Sequence, residues 1–419
     1  MKPTGTLYPM ECSATVYPYL ATKTVNQIFC MEADLDTQID PARLKTVAQK
    51  LCERFPTMFV RLYKDAFGYK LEHVRDVTPF ICPRPQVLCQ PFDFKNNDHL
   101  MRISYAGNRL GVEFFHSLCD GNGGITFLKS LIAEYYRSLG EEIPCTFDVR
   151  SADDAPTAAE IEDSFEANCD KSRKPLPRSG KKAFQYCPDG PFLPWHQTEL
   201  TVPLDKLKAL AKEKNVTITE YLAAVYLLML ASTEQGQKRD KPIALSVPIN
   251  LRPIYGSGTL RNFSLFFLAS VPETGEITFD TILENVHRDF TVGSDKELLA
   301  DMIRKNVADA HLPVFVYAPR PVKKAILKIG AAMYGENLYS STLSNLGVIR
   351  MPEELGKHVL AFRPILGESP VNHVKMTLYS YNGAFHMMIS SRLVTREPEE
   401  RFQKLLEQFG LPVTAEPHS

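Results

Sequence analysis

The chain has 419 residues, too many for one ordinary hydrophobic core, and its 44% hydrophobic and 23% charged residues exclude a disordered, fibrous or repeat-built protein. A formal net charge of −1 removes the whole-chain electrostatic argument for nucleic acid or for an anionic membrane surface, so an anionic ligand must be held by local charge. All nine cysteines lie between Cys12 and Cys187, their number is odd and none shows CxxC spacing, which speaks against a disulfide framework and a zinc site; no metal is expected.

Met1 to Leu20 lacks the continuous apolar run of a secretory leader, so a cytoplasmic protein is expected. From Asn26 to Leu71 the pattern reads strand, helix, strand: Gln27 to Met31 is short and apolar, and Leu44, Val47, Ala48 and Leu51 have helical spacing after Pro41. Leu110, Val112, Phe114 and His116 share one face of a strand; helical spacing resumes at Ile125, Leu128, Leu131 and Ile132, which makes Asp120 to Gly124 a strand-to-helix turn. Residues 151–194 are rich in Pro, Lys, Asp and Ser and read as a connection between a first domain (1–150) and a second (195–419). In the second, Thr198 to Val202, Ile243 to Pro248 and Leu265 to Val271 read as strands. Leu204 to Lys214, Thr219 to Ser232, Phe279 to Phe290, Lys296 to Asn306 and Val322 to Tyr334 read as helices. The longest apolar run, Tyr221 to Ala231, is half of what a membrane span needs and predicts a buried helix. Asn382-Gly383 between two apolar runs marks a hairpin, and Glu399 to Phe409 a last helix. Interleaved strands and helices in both halves give an α/β (α+β) two-domain fold.

Phe114-Phe115-His116-Ser117-Leu118-Cys119-Asp120-Gly121 carries the chemistry. It sets an imidazole at the end of an apolar strand, a carboxylate four residues on and a glycine that frees the backbone to turn. Imidazole titrates near 6.5 and can accept a proton at neutral pH, as a general base must.

The segment resembles the HxxxDG mark of the CoA-dependent acyltransferase superfamily, which includes chloramphenicol acetyltransferase, condensation domains of peptide synthetases and alcohol acetyltransferases, the last being most similar. Val247-Pro248-Ile249-Asn250-Leu251-Arg252-Pro253 resembles the family's P-x-N-x-R element, Arg261-Asn262-Phe263 its G-N element and Ser344-Asn345-Leu346-Gly347 its S-N element. The resemblance implies two chloramphenicol-acetyltransferase-like sheets covered by helices, with a tunnel between the domains. It implies His116 as base, Asp120 turned away from the substrates toward Arg252, Gly121 in the turn, and Ser344, Asn345 or Asn262 lining the substrate or oxyanion site. The implied reaction moves a short acyl group, acetyl above all, from acyl-CoA to an alcohol hydroxyl, with no permanently bound cofactor and with the protein a monomer. Two departures stand out: Phe115 replaces the second His usual in condensation domains, and Arg261 replaces the glycine of the G-N element.

Other readings compete. Amide formation from thioesters on an acyl carrier protein remains open, as does a non-catalytic binding or scaffold module of the same fold. Gly121-Asn122-Gly123-Gly124 lacks the Lys-Ser/Thr of a P-loop and the third glycine of a dinucleotide fingerprint. Asp120 and Asn122 resemble the start of a calcium loop, but the twelfth position is Leu131. Cys119 invites an acyl-cysteine mechanism, against which a thiol at such a turn is more often a packed small residue. His287, His373 and His386 stand singly and form no metal trio. Ser-Asn-Leu-Gly has the plain alternative of a turn.

Overall fold

The computed structural model of the chain describes all residues except 1–2, 23–26, 93–98, 178–179, 189–191, 274–276 and 419. Met1 and Asn26, on which the sequence reading draws, and residues 178–179 and 189–191 of the connection 151–194 lie outside the described residues.

Three sheets carry the chain. A five-stranded sheet runs in the order 359–366, 28–35, 109–115, 101–106, 81–83, and helices Pro41–Arg54 and Gly121–Arg137 pack against it. Pro41 sits in the first turn of its helix, where no N–H is needed, and Asp40 caps it through the amides of Ala42 and Arg43. A seven-stranded sheet has the order 264–271, 243–250, 341–348, 374–381, 384–393, 192–203, 414–418. Its central covering helix, Ile218–Ser232, is apolar all round and buried; Thr217 and Glu220 close a capping box at its start. A small third sheet holds strands 7–9, 69–73 and 60–64. Asn382 and Gly383 both have positive φ, 47° and 77°, as the tight hairpin between 374–381 and 384–393 demands.

The strand Val359–Leu366, which follows a strand of the seven-stranded sheet in sequence, pairs antiparallel with Ile28–Leu35, at the edge of the five-stranded sheet. Its Pro364 is tolerated because an edge strand has one row of amides without ladder partners. Asp34 fixes the crossing by accepting from Arg109 (2.6 Å) and from Arg363 (2.7 Å), so one carboxylate ties the neighbouring strands on both sides. The strand Phe192–Pro203 starts earlier than the sequence predicts, and its Trp195 indole donates to the Leu366 carbonyl at 2.8 Å.

Candidate active site

The strand Arg109–Phe115 lies inside the five-stranded sheet, paired on both sides, with Leu110, Val112 and Phe114 in the core. It delivers His116 just past its last ladder pair, where the His116 amide still donates to the Gln27 carbonyl at 2.8 Å. The predicted turn at Asp120 to Gly124 proves to be helix already. Asp120 is the N-cap, accepting from the Gly123 amide at 3.2 Å, and Gly121 begins Gly121–Arg137. Gly121 thus opens the helix instead of making the turn that the sequence suggests, and a Cβ there would come 2.7 Å from Leu346 Cδ2, the movable end of a side chain. Gly123 is tighter still, since its Cβ would meet the Leu260 carbonyl oxygen at 2.1 Å.

Asp120 and Arg252 meet across the molecule in a two-point pair, Nη1 to Oδ2 at 2.8 Å and Nη2 to Oδ1 at 3.0 Å. The Phe263 amide adds a third donor to the carboxylate at 3.0 Å, and Arg252 Nε donates to the Thr259 carbonyl at 2.7 Å. Asp120 is 4% exposed, so this pair is a buried clasp between the helix start and the one-turn helix Arg252–Tyr255 that follows strand 243–250.

His116 is half-buried, with the ring of Tyr17 at 5.2 Å and of Phe29 at 5.4 Å between centroids. The Asn262 carboxamide grips it twice: Nδ2 donates to the His116 carbonyl at 2.9 Å, and Oδ1 lies 3.0 Å from Nδ1. A carbonyl oxygen only accepts, so the amide nitrogen must face it, and Oδ1 is thereby turned to the ring. Oδ1 accepts only, hence Nδ1 carries the proton and the neutral ring keeps its lone pair on Nε2. Nε2 has no protein partner among the described residues and is not sealed from solvent. Burial pushes the imidazole below its ordinary 6.5, Lys375 adds to that push, and the ring's own main-chain carbonyl, Asp120 and Asn262 pull it back. A neutral base is the result.

Two residues expected to face substrates are instead engaged inside the protein. Asn262, 3% exposed, holds the ring, and Asn345 donates to Thr219 Oγ1 at 2.7 Å while accepting from the Gly347 amide. Ser344 differs. Ser-Asn-Leu-Gly lies in strand Ser341–Val348, not in a plain turn, and alternation along it puts Leu343 and Asn345 toward helix Ile218–Ser232. Ser344 therefore lies on the other face; beyond Asn345 a bulge, with Gly347 at φ 70°, breaks the alternation, and Leu346 packs on Gly121.

Arg261, in place of the expected glycine, turns away from the site. It is 2% exposed, donates to the Pro9 carbonyl at 2.7 Å and faces the buried carboxylate of Glu11 and the partly buried one of Asp163. Glu11 was not readable as a site neighbour from sequence. It is fully buried, accepts from the Ala14 amide at 3.0 Å and from the Ser13 amide, leaves Oε2 without a hydrogen bond, and burial pushes its carboxyl up to about 7. Burial likewise pushes the Cys119 thiol well up, leaving it protonated and a poor nucleophile.

A cavity of about 660 Å³ adjoins the clasp, lined by residues including Asn122, Lys129, Arg150, Arg252, Leu346 and Arg350. Four of its lining residues are basic and one, Asp148, is acidic. The other single histidines find structural partners or packing. His287 pairs with Glu220 at 2.8 Å, His386 with Glu199 at 2.8 Å, and His373 lies against the Phe192 ring. Where the sequence shows no metal trio, adjacent strands bring Glu199, Glu416 and His418 close together, yet Glu199 already accepts from Tyr379, His386 and His418.

No family model and no curated protein matches the chain. Solved structures do. The polyketide synthase associated protein 5 of Mycobacterium tuberculosis matches with a TM-score of 0.57 at 15% identity, over 97% of this chain and 98% of that one. The starter condensation domain of rhizomide synthetase, a mutant in complex with C8-CoA and Leu-SNAC, matches with a TM-score of 0.60 at 10% identity, over 96% and 93%. The trichothecene 15-O-acetyltransferase of Fusarium sporotrichioides matches with 0.56 at 11% identity, over 97% and 96%. The fold is that of the CoA-dependent acyltransferases and condensation domains. In this condensation-type fold the chain supplies the two-sheet frame in which His116, Asp120, Arg252 and Asn262, spread over 147 positions of sequence, become one cluster.

Proposed function

We propose that the protein transfers an acyl group, acetyl or another short acyl, from a CoA thioester to an alcohol hydroxyl, with His116 as general base. The observation that carries this is the double grip of Asn262 on His116, which leaves an unprotonated, unpartnered Nε2. In the reaction the acceptor hydroxyl gives its proton to Nε2 as its oxygen attacks the thioester carbonyl. The tetrahedral intermediate then expels sulfur, which takes the proton back from the imidazolium, leaving an ester and free CoA thiol. Ser344 is the side chain we assign to the developing oxyanion, and the cavity beside Arg252, with its basic lining, is where we place the phosphate-bearing arm of the donor. Phe115, buried in the sheet core, stands where carrier-dependent condensation domains present a second imidazole, which favours the ester over the amide reading.

The test is to incubate the purified protein with a panel of acyl-CoAs and alcohols while following free thiol. Acceptor-dependent thiol release that disappears in His116→Ala supports the assignment. Thiol release unchanged by that substitution, or ligand binding with no turnover across the panel, would sink it.

A further inference from the structure

The helix Arg320–Tyr334 is built inside out. Val322, Ala325, Ile326, Ile329, Ala332 and Met333 recur at the spacing of a single helical stripe, and every one of them is exposed. Ile329 is 63% exposed and Met333 53%. The one buried residue of the helix is a lysine, Lys323, whose ammonium is satisfied by the carbonyls of Phe67 and Val316. A helix normally turns its apolar stripe to the core and its lysines to water; here the core side takes the lysine and the stripe faces out. The preceding residues extend the surface, with Leu312, Val316 and Tyr317 exposed, the last by 74%, and Phe67 alongside at 56%.

The charge of this region singles out its partner. From Ala310 to Gly335 the chain has four basic residues, Arg320, Lys323, Lys324 and Lys328, and no acidic one, in a protein whose net charge is −1. Lys328 borders the stripe and Lys324, one turn earlier, lies further round the helix; both are exposed and make no ion pair among the described residues. An apolar stripe bordered by Lys328, with Lys324 exposed further round, on a helix roughly 22 Å long by its rise per residue, fits the headgroup boundary of an anionic bilayer, with the apolar side chains in the acyl region and the ammonium groups reaching up to the phosphates. No described helix is long and apolar enough by itself to cross a membrane, so contact would be along the surface. The helix also packs on Tyr17–Leu20, whose Tyr17 ring covers His116, which puts the patch beside the site.

We propose that Arg320–Tyr334, with Leu312, Val316 and Tyr317, docks this protein on an anionic lipid surface. The claim is independent of the acyl-transfer reading, because it is measured by binding. The full chain is sedimented with vesicles of phosphatidylcholine alone and of phosphatidylcholine mixed with phosphatidylglycerol. The expected result is cosedimentation with the mixed vesicles at least about ten-fold above the neutral ones, weakening as salt is raised. Ile329→Glu/Met333→Glu should abolish it, and Lys324→Glu/Lys328→Glu should remove the preference for anionic lipid. The changes lie on exposed positions, and a thermal melt matching the parent shows that the variants fold. No sedimentation with mixed vesicles, or sedimentation untouched by both variants, overturns the proposal. So does a concentration-dependent dimer of the parent that Ile329→Glu/Met333→Glu dissolves in the absence of vesicle binding, which would assign the stripe to a second copy of the chain.

Discussion

Two histidine clusters, one in each large sheet, are built from similar parts and come out chemically opposite. His386 has Nδ1 against Glu199 at 2.8 Å, Nε2 against the Tyr381 carbonyl at 3.4 Å, and its ring stacked at 4.8 Å on Tyr379. Both nitrogens are engaged, and the carboxylate beside it also accepts from Tyr379 and His418. His116 has a neutral amide where His386 has a carboxylate, and only one of its nitrogens is held. At His116 the amide orients the ring while burial keeps it neutral, whereas at His386 the second nitrogen is already spent on a carbonyl. What separates a base from a structural histidine is thus the charge of its partner and one nitrogen left open.

The largest effect expected from this contrast is on rate. His116→Ala should lower acyl transfer by about 10²- to 10⁴-fold with its melting temperature close to the parent's, while His386→Ala should keep activity within about two-fold and lose stability instead. Steady-state thiol release and a thermal melt on both variants check it, and comparable losses of activity would erase the distinction.

The clasp comes next. Arg252→Met leaves the Asp120 carboxylate buried with only amide donors, and removing one partner of such a pair costs about 3–5 kcal/mol. Asp120→Asn combined with Arg252→Met should be less destabilising than Arg252→Met alone, since no charge is orphaned. Denaturant unfolding of the three proteins decides; a double variant that is the least stable of all would contradict the account.

How much of this was legible in sequence follows from the range of each interaction. His116, Asp120 and Gly121 sit in one short segment whose strand and helix periodicities bracket the site, and Arg252 follows an equally compact Pro-Asn-Arg run. Asn262 stood out too, but its role did not, because spacing cannot say whether an amide faces a ligand or a ring 146 positions away. Nor can it say that Arg261, in the glycine's place, would turn toward Pro9. Glu11 and Tyr17 were unreadable as site neighbours for the same reason: single residues with no pattern around them. The strand Val359–Leu366 escaped because its partner lies more than 300 residues away and its Pro364 argues against a strand until the edge position is known.

Exchanging the orienting groups sharpens the comparison. Asn262→Asp would set a carboxylate against Nδ1, as Glu199 stands to His386, and raise the imidazole pKa. In the parent, burial keeps His116 neutral to below pH 6.5, so kcat/KM should hold down to that pH and fall only on further acidification. In Asn262→Asp the same fall should begin at higher pH, whereas Asn262→Ala should lower the rate, about ten-fold for a misplaced ring, and move the fall to lower pH, because the hydrogen bond that pulls the imidazole up is gone. A pH profile of Asn262→Asp that overlays the parent would mean that Asn262 does not touch the titrating base.

The carboxylates behind the two clusters should respond to pH with opposite signs. Glu11 is pushed from 4.5 up to about 7 by burial, so between those values the folded protein holds a proton that the unfolded chain has released. Its contribution is full below pH 4.5 and is lost as pH rises through 7, by about 3 kcal/mol at most. Glu11→Gln keeps an oxygen for the Ser13 and Ala14 amides but cannot ionise, and should be more stable than the parent at pH 8 and nearly equal to it at pH 5. Glu199 is burdened by burial too, but the hydrogen bonds of His386, His418 and Tyr379 outweigh it and hold the carboxyl far below 4.5. Its contribution is present above pH 4.5 and is lost only as pH falls below that, so Glu199→Gln should be less stable than the parent at both pH 5 and pH 8. Urea unfolding at the two pH values measures both variants; a Glu11→Gln protein no more stable than the parent at pH 8 would show that the Glu11 carboxylate finds compensation when ionised, and that the two clusters differ less than their hydrogen bonds indicate.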